Sequence, residues 1–544
     1  MTSVLVFRRI GIAVLLAAAG LAQDVSRMEQ VVQSYVANKT FMGSVLVARG
    51  GEVLFSKGYG SANLEWNIPN SPATKFRLGS VTKQFTAASI LLLEERGKLK
   101  TDDPVKKLMP DAPAAWDKIT IFHLLTHTSG IPNFTGFPDY QSLEPFAATP
   151  EKLVARFRDK PLDFQPGEKW SYSNSGYVLL GYLLEKASGE TYEKFVQANI
   201  FGPLGMKDSG YDSNSAVIPR RAAGYAPGPG KDGPVNAGFV HMSIPFSAGA
   251  PYSTTEDLLR WEQGLFGGKV LSPAALAKMT TPYKEDYACG VGVHTVSGHK
   301  SIDHGGGIEG FNTFLAYYPE DTLTVVALAN LTGGAPQQIA TTLAAVARGE
   351  KVELPSERSE ITVAPKILEQ YVGTYAMAPK INMMIRMQGG QLISQLSGQG
   401  KVPLFAKSET KFFPKVVDAE IEFGKDDKGA AYLVLHQGGR DTKAPRTSDT
   451  VVERKEIAVS PQTLAQYAGT YELRPGFDLV IMLEGDQLVS QATRQGKVPL
   501  FAESETKFFP KVMDAEIEFL KDDKGAVTHL VLHQGPAEIK APRK

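Results

Sequence analysis

Ser80 and Lys83, in FRLGSVTKQFTAASILLLEERG, place a hydroxyl and an amine three residues apart, one turn along the same face of a helix. A serine hydroxyl is a weak nucleophile and needs a neighbouring proton acceptor. A helix N-terminus adds partial positive charge that favours an anion forming there. An apolar setting draws the pKa of a lysine down, so that its amine can take part in proton transfer. The chemistry implied is acyl transfer through a serine. Spacing alone does not single out this pair, because Ser297/Lys300, Ser408/Lys411 and Ser504/Lys507 share it. Those three read as surface residues on strands or turns. Only Ser80 opens an apolar helix, one that follows a strand-rich segment and ends near Gly97.

Two further patterns carry compatible chemistry. Tyr172-Ser173-Asn174 precedes a helix expected from about Gly176 to Ala187, with Gly189 as its stop. Of 19 tyrosines only Tyr172 has asparagine two positions on. A phenol relays a proton and an Asn amide binds a carbonyl, although the same residues also suit a helix cap with Tyr172 packed beside it. His304-Gly305-Gly306-Gly307 closes a strand; glycines admit a substrate backbone and a strand-edge N–H donates to an oxyanion. His304 can bind a carboxylate or an ester oxygen, and taken alone it also reads as a turn histidine. His123 and His127 are four apart in HLLTH, but the intervening Glu of a zinc helix and a third ligand are missing, so packing is the reading and no metal is expected. Cys289, the one cysteine, reads as a small buried apolar residue and excludes any intramolecular disulfide.

Strand and helix signals show what must hold these groups. A helix over Val25–Asn38 leads into strands Ser44–Val47 and Val53–Lys57, joined at Gly50-Gly51. Helical periodicity then runs to about residue 279. Strands return at His299–Gly305, Gly310–Tyr318 and Thr322–Ala329, the last two joined at Pro319-Glu320-Asp321. A helical block inserted between two sets of antiparallel strands predicts an α/β domain over residues 24–349: an antiparallel sheet flanked by helices, with a large helical insertion.

The 544 residues include 58 basic and 58 acidic side chains, so the formal charge is zero, which argues against a nucleic-acid partner. Arg8 and Arg9 precede an apolar run from Ile10 to Ala22, with Gly20 and Ala22 at −3 and −1 of a cut before Gln23. That order makes residues 1–22 a signal peptide and the protein exported, periplasmic or secreted. The run is shorter than the roughly 20 residues that span a bilayer, so no stable membrane anchor is expected.

The remainder is duplicated. Lys401–Ala430 reads KVPLFAKSETKFFPKVVDAEIEFGKDDKGA and Lys497–Ala526 reads KVPLFAESETKFFPKVMDAEIEFLKDDKGA, and QYVGTY at Gln370 matches QYAGTY at Gln466. Short alternating segments predict two small antiparallel β domains, 366–440 and 462–544, each a meander or small barrel. Lys351–Pro365 and Arg440–Pro461 are expected as linkers. The repeats are expected to shape access to the cleft or to mediate self-association through exposed strand edges.

Ser-x-x-Lys, Tyr-x-Asn and His-Gly-Gly in this order resemble the serine hydrolases related to class C β-lactamases and D,D-peptidases, the low-molecular-weight penicillin-binding proteins. The resemblance covers most of residues 30–345 and extends to LLTHTSG (Leu124–Gly130), PGEKWSYSNSGY (Pro166–Tyr177), FSAGAPYSTTEDLLRW (Phe246–Trp261) and HGGGIEGFNT (His304–Thr313). It implies a β-lactamase/transpeptidase-like fold, a small-molecule or peptide substrate and no cofactor. It also implies Ser80 as acylated nucleophile, Lys83 and Tyr172 sharing its proton with the base undecided between them, Asn174 and His304 binding substrate, and the N–H groups of Ser80 and Gly307 as oxyanion hole. His304 stands where β-lactamases of this class carry lysine, which favours a peptidase, amidase or esterase acting on a D-amino-acid peptide or small ester. A β-lactamase, or a penicillin-binding receptor without turnover, is the alternative. Some D-amino-acid-specific members carry lipocalin-like C-terminal domains, and the repeats look similar to them.

Overall fold

The computed structural model describes residues 24–544, apart from 229–232, 334, 355–356, 380, 416–418, 438–439, 452–453, 475–476, 494–495 and 536. The signal peptide expected at 1–22 lies outside the described residues. One compact unit runs to Val352 and a second covers Glu353–Lys544. Among the described residues no helix is long and apolar enough to cross a membrane.

The first unit is the expected α/β arrangement. After a helix α1 (24–37) come β1 (Gly43–Arg49) and β2 (Glu52–Tyr59). The sheet is completed more than two hundred residues later by β3 (Gly292–Val296), β4 (His299–Ile308), β5 (Phe311–Tyr318) and β6 (Leu323–Ala329), in spatial order β3-β4-β5-β6-β1-β2. Every pairing is antiparallel, and β1 meets β6 from Gly43↔Ala329 to Arg49↔Leu323. β6 is buried at all seven positions, so its sequence, apolar at every position but Thr324, reflects cover on both faces.

Two helices of the insertion matter most. α2 (Thr82–Glu95) is buried from Thr82 to Leu93, as expected of a helix apolar on every side. It stops at Gly97, at φ +67°, where the Lys98 N–H reaches back to the Leu93 carbonyl and satisfies an end carbonyl. α3 (Asn174–Ser188) ends on Gly189 at φ +77°. It begins two residues earlier than its apolar periodicity indicates, so Asn174 sits in its first turn. Trp261 ties the insertion to α2, stacking edge-on with Phe85 at 4.7 Å and donating to Gln84 at 2.9 Å.

Sheet and insertion meet at a glycine junction. A Cβ on Gly306 of β4 would lie 2.0 Å from the Leu78 carbonyl oxygen and 2.3 Å from Thr313 Oγ1. Gly79, at φ +54°, would place a Cβ 2.9 Å from the Gly307 nitrogen. Only glycines let β4 lie directly against the backbone that leads into α2. The Thr313 hydroxyl locks the approach by donating to Leu78 O at 2.7 Å.

In the second unit each repeat forms eight antiparallel strands, the first a closed barrel from Gly373–Ala378 to Arg440–Ser448. Arg440–Ser448 was expected within a linker; it is instead the last strand, and it closes the barrel at Thr374↔Ser448 and Tyr375↔Arg446. Its Lys-Ala-Pro-Arg sequence hides the strand because only Ala444 of its described side chains is buried. The second repeat runs from Gly469–Arg474 to Ala537–Pro542, and a bridge from Tyr471 to Arg543 brings its ends together. In the first repeat closure pairs the two terminal strands with each other, whereas in the second the ends of the eight-stranded sheet meet only at that bridge.

The glycine junction generates a first prediction. Gly306→Ala should lower unfolding free energy by about 1–3 kcal/mol through overpacking, measured by urea denaturation. Unchanged stability would mean that the Leu78–Gly306 contact does not hold sheet and insertion together.

Candidate active site

Ser80 sits in a short 3-10 turn, Gly79–Val81, immediately ahead of α2. The turn is held from both sides. Upstream, Phe76–Arg77 pairs with Pro251–Ser253, and the Arg77 Nε meets the fully buried Asp212 carboxylate at 2.7 Å. Downstream, the helix carries Lys83 onto the face of Ser80.

Lys83 Nζ lies 3.0 Å from Ser80 Oγ, 2.8 Å from Asn174 Oδ1 and 3.1 Å from the Ala248 carbonyl oxygen. The side chain is fully buried and all three partners are neutral. Burial without a counter-ion pulls its pKa well below the ordinary lysine value. An amine in that state accepts a proton from a hydroxyl at hydrogen-bond distance. Ala248 owes its place to a tight turn, in which Phe246 takes φ +41°, unusual for a bulky residue. Hydrogen bonds pin that turn: Ser247 Oγ donates to the Tyr177 carbonyl at 2.9 Å and Thr86 Oγ1 donates to the Ser247 carbonyl at 2.7 Å.

Tyr172 completes the group. Its ring lies 4.8 Å from Lys83 Nζ. Burial pushes its phenol above the ordinary tyrosine value, and a hydrogen bond with the Ser80 hydroxyl works the other way. His127 braces it: the rings are 4.3 Å apart, the His127 carbonyl accepts from the Ser171 N–H at 2.9 Å, and His127 Nδ1 accepts from the Ser173 N–H at 3.1 Å. His127 therefore positions the tyrosine. His123 has another task, capping the helix Ile121–Leu125 with Thr120. The two histidines share no helix face, consistent with packing roles. Asn174 is oriented by Thr135, whose hydroxyl oxygen accepts from Nδ2 at 3.2 Å, and its backbone N–H donates to Asn133 Oδ1 at 3.1 Å.

His304 differs from expectation. Its Nδ1 is 2.6 Å from the Gly305 carbonyl oxygen, which only accepts, so Nδ1 carries the proton. Its Nε2 is 2.9 Å from the Tyr287 hydroxyl, which donates to it. Burial pulls its pKa down to about 3, with the Gly305 bond opposing. Both ring nitrogens are thus spent inside the protein, and the ring is a neutral brace on β4, with neither nitrogen left for the carboxylate or ester oxygen it was expected to bind.

Two cavities meet at Ser80. One, of about 180 Å³, is bounded by Asn174, Gly249, Gly307 and an apolar wall. The other, of about 380 Å³, runs along His304 to Gly307 past Tyr172. β3 pairs with β4 only as far as Asp303, so residues 304–308 offer a strand edge toward this second space. The structure gathers Ser80, Lys83, Tyr172, Asn174, His304 and Gly307 at one crevice. Sequence reasoning missed the Ala248 carbonyl, Asn133, Thr135, Tyr287 and the bracing by His127. Phe246–Gly249 and Leu124–Gly130 were visible as motifs without roles; Asn133, Thr135 and Tyr287 gave no signal at all.

Comparison with known proteins follows this geometry. The Beta-lactamase family model matches residues 28–349, and a domain of unknown function (DUF3471) matches 357–441 and 453–541. Penicillin-binding protein 4* of Bacillus subtilis (strain 168) is 30% identical over 435 residues, covering 75% of this chain and 95% of that protein. A D-aminopeptidase of Gluconobacter oxydans (strain 621H) is 27% identical over 351 residues, covering 61% of this chain and 62% of its own. Among solved structures, the octameric penicillin-binding protein homologue from Pyrococcus abyssi aligns with a TM-score of 0.56 at 28% identity, covering 78% of this chain and all of that one.

The lowered pKa of Lys83 makes a prediction about stability. Between its folded and unfolded values the unfolded chain binds the extra proton, so stability rises with pH through that window and falls as pH drops toward the folded value. Lys83→Met abolishes this titration. Urea unfolding between about pH 6 and about pH 10 should show wild type gaining on the variant as pH rises. Parallel stability curves would contradict a depressed lysine.

Proposed function

The chain belongs to the Beta-lactamase family, and on that premise we propose that it hydrolyses small amide, peptide or ester bonds, D-amino-acid peptides or small esters foremost, through an acyl-enzyme on Ser80. The observation that carries this reading is the 3.0 Å contact between Ser80 Oγ and a buried Lys83 amine that, among the described residues, has no carboxylate partner. In this mechanism neutral Lys83 takes the Ser80 proton while Oγ attacks the substrate carbonyl. The oxyanion faces the N–H groups of Ser80 and Gly307, donors each worth about 3 kcal/mol of barrier. Tyr172, whose phenol is held protonated, gives its proton to the leaving group and regains one from Lys83. Water then reverses the sequence and frees the acid. The opposite shifts of the two groups support Lys83 as base and Tyr172 as relay. Asn174 Nδ2 keeps one hydrogen beyond its bond to Thr135, and that hydrogen meets the substrate carbonyl.

The relative named for D-amino-acid peptides supports hydrolysis, and the relative named for penicillin binding supports acylation by β-lactams as a second reading. Export, resting on residues 8–22, and self-association, suggested by an octameric homologue, belong to the same proposal.

Ser80→Ala should reduce turnover of nitrophenyl esters and D-amino-acid amides at least about 10³-fold, and Tyr172→Phe about 10²–10⁴-fold. Intact-mass spectra with a fluorescent penicillin should show one adduct on wild type and none on Ser80→Ala. Equal rates in wild type and Ser80→Ala would remove Ser80 from the mechanism, and an adduct without multiple turnovers would favour the binding reading. Light scattering on the full chain should give a multiple of the monomer mass; a strict monomer would rule out self-association.

A further inference from the structure

The smaller cavity beside Ser80, about 180 Å³, has a wall built from Phe134, Tyr140, Val240, Pro245 and Ile308. Among the described residues that line it, Glu309 is the one charged side chain. It lies two residues beyond Gly307, in the turn between β4 and β5, where Ile308 pairs with Phe311. That turn is fixed tightly, because Gly310 stands at φ +79° and a Cβ there would lie 2.5 Å from the Gly224 backbone. The backbone of Glu309 is therefore fixed two residues from Gly307, at the edge of the cavity.

Its carboxylate has no hydrogen-bond or ion-pair partner among the described residues. Its field nevertheless reaches the cavity: the phenol of Tyr140 is pushed up by burial first and by the charge of Glu309 second. A carboxylate left uncompensated in an apolar wall attracts a cation and repels an anion more strongly than it would in open water. The cavity is smaller than the roughly 300 Å³ at which sites for drug-sized ligands begin, so it suits one acyl residue rather than a long peptide.

We infer that Glu309 selects acyl donors bearing a protonated amine beside the scissile carbonyl, so that the substrates are aminoacyl amides, aminoacyl esters and short peptides with a free N-terminus. This inference rests on acyl transfer at Ser80. The carbonyl sits between Ser80 and the oxyanion donors, the ammonium faces Glu309, and the side chain of the residue fills the apolar wall. N-acylation removes the charge that Glu309 pairs with, and an N-succinyl group replaces it with a like charge.

The test compares kcat/KM for phenylalanine p-nitroanilide with a free, an acetylated and a succinylated amine, in both enantiomers, on wild type, Glu309→Gln and Glu309→Lys, with p-nitrophenyl acetate as an uncharged reference. Wild type should prefer the free amine over the acetylated one by at least about 10-fold, Glu309→Gln should lose most of that preference, and Glu309→Lys should turn it toward the succinylated compound. A gained activity on the succinylated substrate cannot arise from misfolding. If wild type turns over p-nitrophenyl acetate in a Ser80-dependent way but shows the same preference as both Glu309 variants, or no preference, the inference fails while acyl transfer stands. If wild type turns over none of these compounds, acyl transfer itself fails and the inference falls with it.

Discussion

The site is governed by one unusual condition, a lysine amine removed from water without an opposite charge to hold its proton. Lys83 has three hydrogen-bond partners, a hydroxyl, an amide oxygen and a backbone carbonyl, and none is ionised. A carboxylate among them would restore the ammonium. The rest of the surroundings obey the same restriction. His127 and His304 are pulled toward neutrality chiefly by burial. Tyr172, Tyr177 and Tyr287 are held protonated, chiefly by burial. The result is a pocket of neutral dipoles inside an aromatic shell.

Holding that pocket together demands backbone in costly conformations. Gly79, Phe246 and His127 all take positive φ, and all three contribute to placing a reacting or bracing group. A non-glycine residue in that region persists only where its surroundings over-determine it. At Phe246 the restraint comes from the bonds made by Ser247 and Thr86, and at His127 from the segment that leads into α3. The three-glycine run of β4 belongs to the same economy. It admits the backbone that carries Ser80, and its strand edge remains open beyond the point where β3 stops pairing.

The two C-terminal barrels repeat one design closely enough to show which contacts matter. Tyr375 and Tyr471 donate to the carbonyls of Tyr371 and Tyr467, each at 2.9 Å. Arg446 and Arg543 cap the carbonyls of Gln370 and Gln466, each at 3.1 Å. In both copies an aromatic pair stacks over the core, Tyr371 on Phe423 and Tyr467 on Phe519. The cross-links at the barrel seam are thus maintained in both copies, because an unclosed eight-stranded sheet would leave two edges open to pairing with other chains.

Periodicity and punctuation in the sequence determined five of the six sheet strands, β3 (Gly292–Val296) being missed, together with the Ser80 helix, the Gly189 stop and the duplication, since each is written in local residue order. Ser80, Lys83, Tyr172 and Asn174 could be singled out because helical spacing and a helix start bring them near one another within short segments. Distance in sequence hid the remainder. The Ala248 carbonyl is 165 residues from Lys83, a backbone atom that no motif can advertise. Tyr287 reaches His304 from the segment that leads into the neighbouring strand β3, 17 residues away, and that contact turned an expected ligand-binding imidazole into a neutral brace. Arg440–Ser448 became a strand because the first strand of its barrel needed a partner, not because its own residues alternate. Residue type and spacing thus decided which chemistry was on offer, whereas protonation and orientation were decided by burial, which depends on neighbours that only the folded chain brings together.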